Sequence, residues 1–153
     1  MSPACLIIFD MKLFLAALLF STVAISCTQQ PNYKTERDAV MKFHDVVMAD
    51  HGILVSNQMK IDSLVKDMGA LKTKFPALDT LKEKADLLGT LNRLNKAEDL
   101  MNDWMHKFEP DITGKSDSQA IEYFKAERVK IGSIDSVYKA EIKLSTAHLQ
   151  KFK

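Results

Sequence analysis

Val40-Met41-Lys42-Phe43-His44-Asp45-Val46-Val47-Met48-Ala49-Asp50-His51-Gly52-Ile53-Leu54-Val55 is the stretch on which the reading of this chain turns. Its apolar residues Val40, Met41, Val47, Met48, Leu54 and Val55 return at three- and four-residue steps, and the pattern continues through Ile61, Leu64, Val65, Met68 and Leu71. That spacing places them on one face of a helix. Periodicity predicts a first helix over 35–74, closed by Phe75-Pro76, because the residue before proline avoids the helical region.

Two further segments repeat the pattern. Leu81, Leu87, Leu88, Leu91, Leu94, Met101, Trp104, Met105 and Phe108 predict a second helix over 77–109. Pro110 to Lys115, with Gly114, breaks it. Ser116 and Gln119 match a capping box at the start of a third helix over 116–150, carried by Ile121, Phe124, Ile131, Ile134, Tyr138, Ile142 and Leu149. At 1.5 Å per residue each helix is about 50–60 Å long, and none can bury its stripe alone. The expected fold is all-α: an up-down-up antiparallel three-helix bundle over 35–153, with near-heptad spacing and shallow, coiled-coil-like crossings.

The N-terminus points to a location. Met11-Lys12 is followed by Leu13 to Ile25, an uncharged apolar run of 13 residues, and then by Ser26-Cys27. Roughly 20 apolar residues are needed to span a bilayer, so the run reads as the core of a signal peptide. Ala24-Ile25-Ser26-Cys27 resembles a lipobox, in which the cysteine thiol is acylated before cleavage. Residues 1–26 are therefore expected to be a signal peptide, with Met11 the better start and 1–10 outside the true signal. Cys27 is the expected lipid attachment site, and 27–34 a short lipidated tether. The competing reading is an ordinary signal peptide with a chance cysteine. The cysteine count agrees with lipidation. Only Cys5 and Cys27 are present, so cleavage and acylation leave the mature domain without a thiol. At about 0.8 kcal/mol per buried CH₂, several acyl chains hold a domain firmly to a membrane. The expected place is the cell envelope, membrane-anchored and facing the periplasm.

Lys+Arg total 21 and Asp+Glu 20, a net charge of +1, which gives no electrostatic reason to expect nucleic-acid binding. There is no nucleophile–base pairing, phosphate-cradling glycine loop or paired-carboxylate motif, and an enzyme is not expected.

Two polar constellations stand out. His44, Met48 and His51 share one face of the first helix, and Met101, Met105 and His106 occupy a similar run on the second. An antiparallel hairpin turning near Pro76 sets the two runs at one height. Thioethers and imidazoles together suit copper, especially Cu(I), which makes these six residues a candidate metal site. The competing reading is packing, since methionine is a flexible core filler. Glu98 and Arg128 interrupt their stripes at positions equidistant from the second turn, and are expected to meet as a buried polar layer that fixes register. Asp135 is a third charged stripe position with no assignable partner.

His44-Asp45-x-Val47-Met48, Asp103-Trp104-Met105-His106-x-Phe108 and Ile121-Glu122-Tyr123 together resemble a family of small Bacteroidota lipoproteins often labelled "viral A-type inclusion protein". The resemblance implies an envelope location and a helical fold, with no activity attached. The expected role is structural or partner-binding, through helical grooves that accept another helix. The alternatives are a copper-binding envelope protein and a periplasmic holdase-like chaperone with a large exposed apolar surface.

Overall fold

The computed structural model describes residues 32–153. The expected signal peptide and the lipid site at Cys27 lie outside the described residues, as does most of the tether.

Residues 32–153 are all-helical, with four helices packed together: α1 (Tyr33–Lys66), α2 (Met68–Lys74), α3 (Thr80–Lys107) and α4 (Asp117–Leu149), followed by a 3₁₀ turn at Gln150–Phe152. No strand occurs among the described residues. Each long helix starts where a short polar side chain can take up free amides. Asn32 accepts from Lys34 N–H at 2.9 Å, so α1 begins two residues earlier than the periodicity indicates. Asp79 accepts from the amides of Leu81 and Lys82, both at 3.1 Å, so α3 starts at Thr80 and not at Ala77. Ser116 and Gln119 form the reciprocal capping box expected from the sequence.

The first expected helix is divided. It passes through Gly52 unbroken and is interrupted at Asp67, whose φ of −120° and ψ of 56° leave the helical region. The Asp67 carboxylate accepts from Ala70 N–H at 3.0 Å and caps α2. A short polar side chain that offers the backbone an alternative partner has outcompeted helix continuation, two residues before Gly69. The connector to α4 turns at Gly114, with φ +83°, the only residue of positive φ among those described.

The core is built on seven-residue steps. Val40, Val47, Leu54 and Ile61 of α1 are fully buried, as are Leu87 and Leu94 of α3 and Phe124, Ile131 and Tyr138 of α4; Met101 is 1% exposed. One side chain every two turns keeps a helix facing its neighbour along its whole length. Met68 packs α2 against this core, and Leu71 of α2 is also buried. Contacts between α1 and α4 run in the order Glu36–Arg128, His51–Tyr138 and Asn57–Ser145. Contacts between α3 and α4 run in the opposite sense: Glu83–His148, Arg93–Glu141 and Trp104–Glu127. No helix among the described residues is long and apolar enough to cross a membrane.

Candidate functional site

The histidine and methionine runs come side by side where α1 packs on α3. The His44 ring lies 6.3 Å from that of Trp104. Two turns along, His51 Nε2 lies 3.9 Å from Glu98 Oε1, with its Nδ1 3.5 Å from the Tyr138 hydroxyl. The six candidate ligands fall into different environments. Met101 is in the core. His106 is exposed, and its Nδ1 lies 2.7 Å from the Asn102 carbonyl of its own helix. His51 is engaged by Glu98 and Tyr138. His44, with Asp45 at 3.1 Å, and the two methionines Met48 and Met105 are within reach of solvent. Met41, Met48 and Met105 are 38%, 38% and 37% exposed, so these thioethers are shared between packing and surface. Among the described residues no group of three or more His, Cys, Asp or Glu is placed to hold a metal ion.

The expected Glu98–Arg128 contact does not form. Arg128 Nη1 lies 2.9 Å from Glu36 Oε2 on α1. Glu98 accepts from Gln58 Nε2 at 2.8 Å and faces His51. Neither is deeply buried: their side chains are 30% and 44% exposed for Glu98 and Arg128. The cause is register. Trp104 opposite Glu127 and Glu83 opposite His148 set Glu98 level with Ser133, because the connector after α3 is an extended loop and not a tight turn. Asp135, unassigned from sequence, pairs with Lys139 of its own helix at 2.7 Å, leaving Oδ1 buried without a hydrogen-bond partner among the described residues.

The buried polar groups lie elsewhere. Trp104 donates its indole N–H to Glu127 Oε2 at 2.8 Å, and Lys130 donates to Oε1 at 2.6 Å. That bond to Glu127 holds the Lys130 ammonium above its ordinary range. Phe108 stacks on Trp104 at 4.7 Å, and Phe124 and Tyr123 extend the aromatic cluster. Tyr123 is raised by burial, with its oxygen accepting from Glu109 N–H at 2.8 Å. At the far end of the domain, His148 bridges Glu83 and Thr90 Oγ1, the latter at 3.0 Å. Between the two, Asn57 donates to Ser145 Oγ at 2.9 Å and Thr146 Oγ1 at 3.0 Å. Each of these polar groups replaces an apolar side chain at a core step: Glu83 one turn before Leu87, Glu127 one turn after Phe124, Ser145 seven residues after Tyr138. That substitution pattern is the signal in the sequence that could have found them.

No family profile, curated protein or solved structure matches the chain. The hydroxyl, imidazole and carboxylate of Thr90, His148 and Glu83 are held in packing, with Thr90 only 2% exposed.

Proposed function

We propose that this chain is a lipid-anchored helical-bundle protein of the bacterial cell envelope, structural or partner-binding and without catalytic activity. The anchoring part rests on the signal-like N-terminus, the lipobox-like Ala24-Ile25-Ser26-Cys27, and the resemblance to small envelope lipoproteins. The fold we assign is up-down-up. The order of contacts between α1 and α4, opposite to that between α3 and α4, supports it, and the seven-residue core spacing supports coiled-coil-like packing.

The observation that carries the partner-binding reading is the exposure of Met41, Met48 and Met105 on the side where α1 meets α3. Flexible thioethers that are neither in the core nor replaced by polar residues suit a surface that adapts to a partner. Two experiments test it. Metabolic labelling with an alkyne fatty acid marks the wild type, and Cys27→Ser loses both label and membrane attachment; an anchored, unlabelled variant refutes the lipoprotein reading. A photocrosslinking residue at Met48 or Met105 in intact cells gives a discrete adduct, while one at exposed Asn92 does not. Equal, diffuse labelling at all three refutes the partner face.

The second reading is copper binding. It is favoured by the placing of His44, Met48 and Met105 within reach of solvent near one helix seam.

A further inference from the structure

We propose that α4 pairs with α4 of a second copy of this chain, antiparallel, through the face it turns away from α1 and α3. The core-facing side of α4 carries Phe124, Ile131 and Tyr138. Its outer side, continued into the 3₁₀ turn, carries a second stripe at three- and four-residue steps: Glu122, Ala126, Val129, Ser133, Ser136/Val137, Ala140, Leu144, Ala147 and Lys151. All of these are exposed except Val137, which is half-buried. Val129 is 72% and Leu144 52% exposed, which leaves two large apolar side chains on this face that nothing among the described residues covers.

The stripe is complementary to itself. Taken from the midpoint between Ser136 and Val137, Glu122 is as far out as Lys151, Ala126 as Ala147, Val129 as Leu144, and Ser133 as Ala140. A two-fold axis through that midpoint therefore sets carboxylate against ammonium at each end, and apolar or small residues against their like in between. An isologous contact needs this self-match, since each residue meets its mirror position on the partner. Alanine or serine at every seventh position, from Ala126 to Ala147, lets the two backbones approach closely. The paired ends supply register: a parallel arrangement would set Glu122 on Glu122 and Lys151 on Lys151. Lys151, 56% exposed, pairs with Glu83 of its own chain at 3.8 Å, and the dimer would offer it Glu122 of the second copy as a further carboxylate. Beside Val129, a cleft of about 590 Å³ between α3 and α4, lined by Leu100, Asp103, Lys107, Ser133 and Val137, borders this face.

This face is separate from the methionine surface, so either can fail without the other. Because α1 and α4 run in the same order, the pairing puts the two Tyr33 ends at opposite ends of the dimer. Two lipid anchors then reach one bilayer only if the pair lies along it.

The test is disulfide trapping of the full chain in native membranes. A disulfide requires Cα atoms about 4.4–6.8 Å apart. Val129→Cys and Leu144→Cys chains, differently tagged and coexpressed, form a mixed crosslinked dimer. Val129→Cys expressed alone forms none above the wild-type background from Cys5 and Cys27, because the two copies of position 129 lie about 22 Å apart along the axis. Glu122→Lys, or Lys151→Glu, lowers the mixed yield severalfold, and the double exchange restores it. All variants are surface changes, and unaltered circular dichroism checks their fold. No mixed dimer, a Val129→Cys homodimer of equal yield, or no rescue by the double exchange overturns the proposal.

Discussion

The Trp104 indole and the Glu127 carboxylate meet at 2.8 Å across α3 and α4, with Trp104 6% and Glu127 5% exposed. This bond ties the only tryptophan to a charge that the fold has taken out of water. Glu127 is tolerated there because both oxygens are used, one by the indole and one by Lys130. Removing the indole donor while keeping an aromatic ring isolates the polar term. Trp104→Phe strands Glu127 Oε2 and is expected to cost about 1–3 kcal/mol, the penalty for a buried polar group left unpaired, plus lost contact area. Trp104→Phe combined with Glu127→Leu is expected to be less destabilised than the sum of the two single changes. Urea unfolding of the four proteins measures this. Strict additivity would show that the bond contributes nothing.

The His148–Glu83 contact makes a parallel case at the other end of the domain. Their side chains are 10% and 11% exposed, and Lys151 Nζ lies 3.8 Å from Glu83. Removing one partner of a buried hydrogen bond leaves the other unpaired, which costs about 1–3 kcal/mol where no other group moves in. His148→Ala is expected to approach the lower end, because Lys151 can move in. The same substitution releases the 3₁₀ turn, whose Phe152 ring packs 6.1 Å from the imidazole and 6.0 Å from Phe75. Hydrogen exchange should therefore rise at Gln150–Phe152 as well as globally. A loss under 1 kcal/mol, with no change at the C-terminus, would remove His148 from the list of anchors.

The helical fold was legible because its core repeats strictly: Val40, Val47, Leu54 and Ile61 declare one face whatever lies between them. The capping box at Ser116 was legible for the same reason, as both its residues are local in sequence. What failed were statements that depended on single connections. The interruption at Asp67 follows from one carboxylate preferring a nearby amide to solvent, a balance that periodicity does not register. The Glu98–Arg128 pairing assumed a tight second turn, and the real connector shifts α4 by more than a helical turn. The candidate ligands were legible as residues sharing one seam. Their separate fates, Met101 in the core and His106 on its own backbone, are set by rotamers and packing that spacing alone does not encode.

The copper reading makes its own prediction. A site drawing on His44, Met48 and Met105 would bind only the folded chain, so Cu(I) at a hundredfold excess over its Kd would add about 2.7 kcal/mol of stability. Thermal unfolding of the chain from Thr28 onward, under reducing conditions, reads this as a rise in midpoint. His44→Ala, Met48→Leu, Met105→Leu together would abolish the rise. A wild type that does not respond, or a triple variant that responds as well, assigns these side chains to packing and partner contact.

Tyr138 gives a prediction in pH. It is fully buried in α4, and burial, with the nearby Glu98 charge as a smaller cause, pushes its phenol from 10.0 up to about 12. In the unfolded chain the proton leaves near pH 10, whereas the folded chain keeps it until about 12. Between those values the folded state binds more protons than the unfolded, so stability falls as pH rises. Below about pH 10 the contribution is fully present and flat. At 1.36 kcal/mol per pKa unit, the whole effect is on the order of 2–3 kcal/mol. Lysines also titrate in this window, so the measurement is a difference. The gap in unfolding free energy between wild type and Tyr138→Phe should stay constant to about pH 10 and shift by that amount, against the wild type, by about 12. Tyrosinate absorbance in the near ultraviolet should show the last of the three tyrosines ionising late in the wild type, and that step missing in the variant. Parallel stability curves across the window, or a Tyr138 that ionises with the others, would mean that the phenol is open to water in solution and that the packing of α1 against α4 at His51 is looser than its geometry indicates.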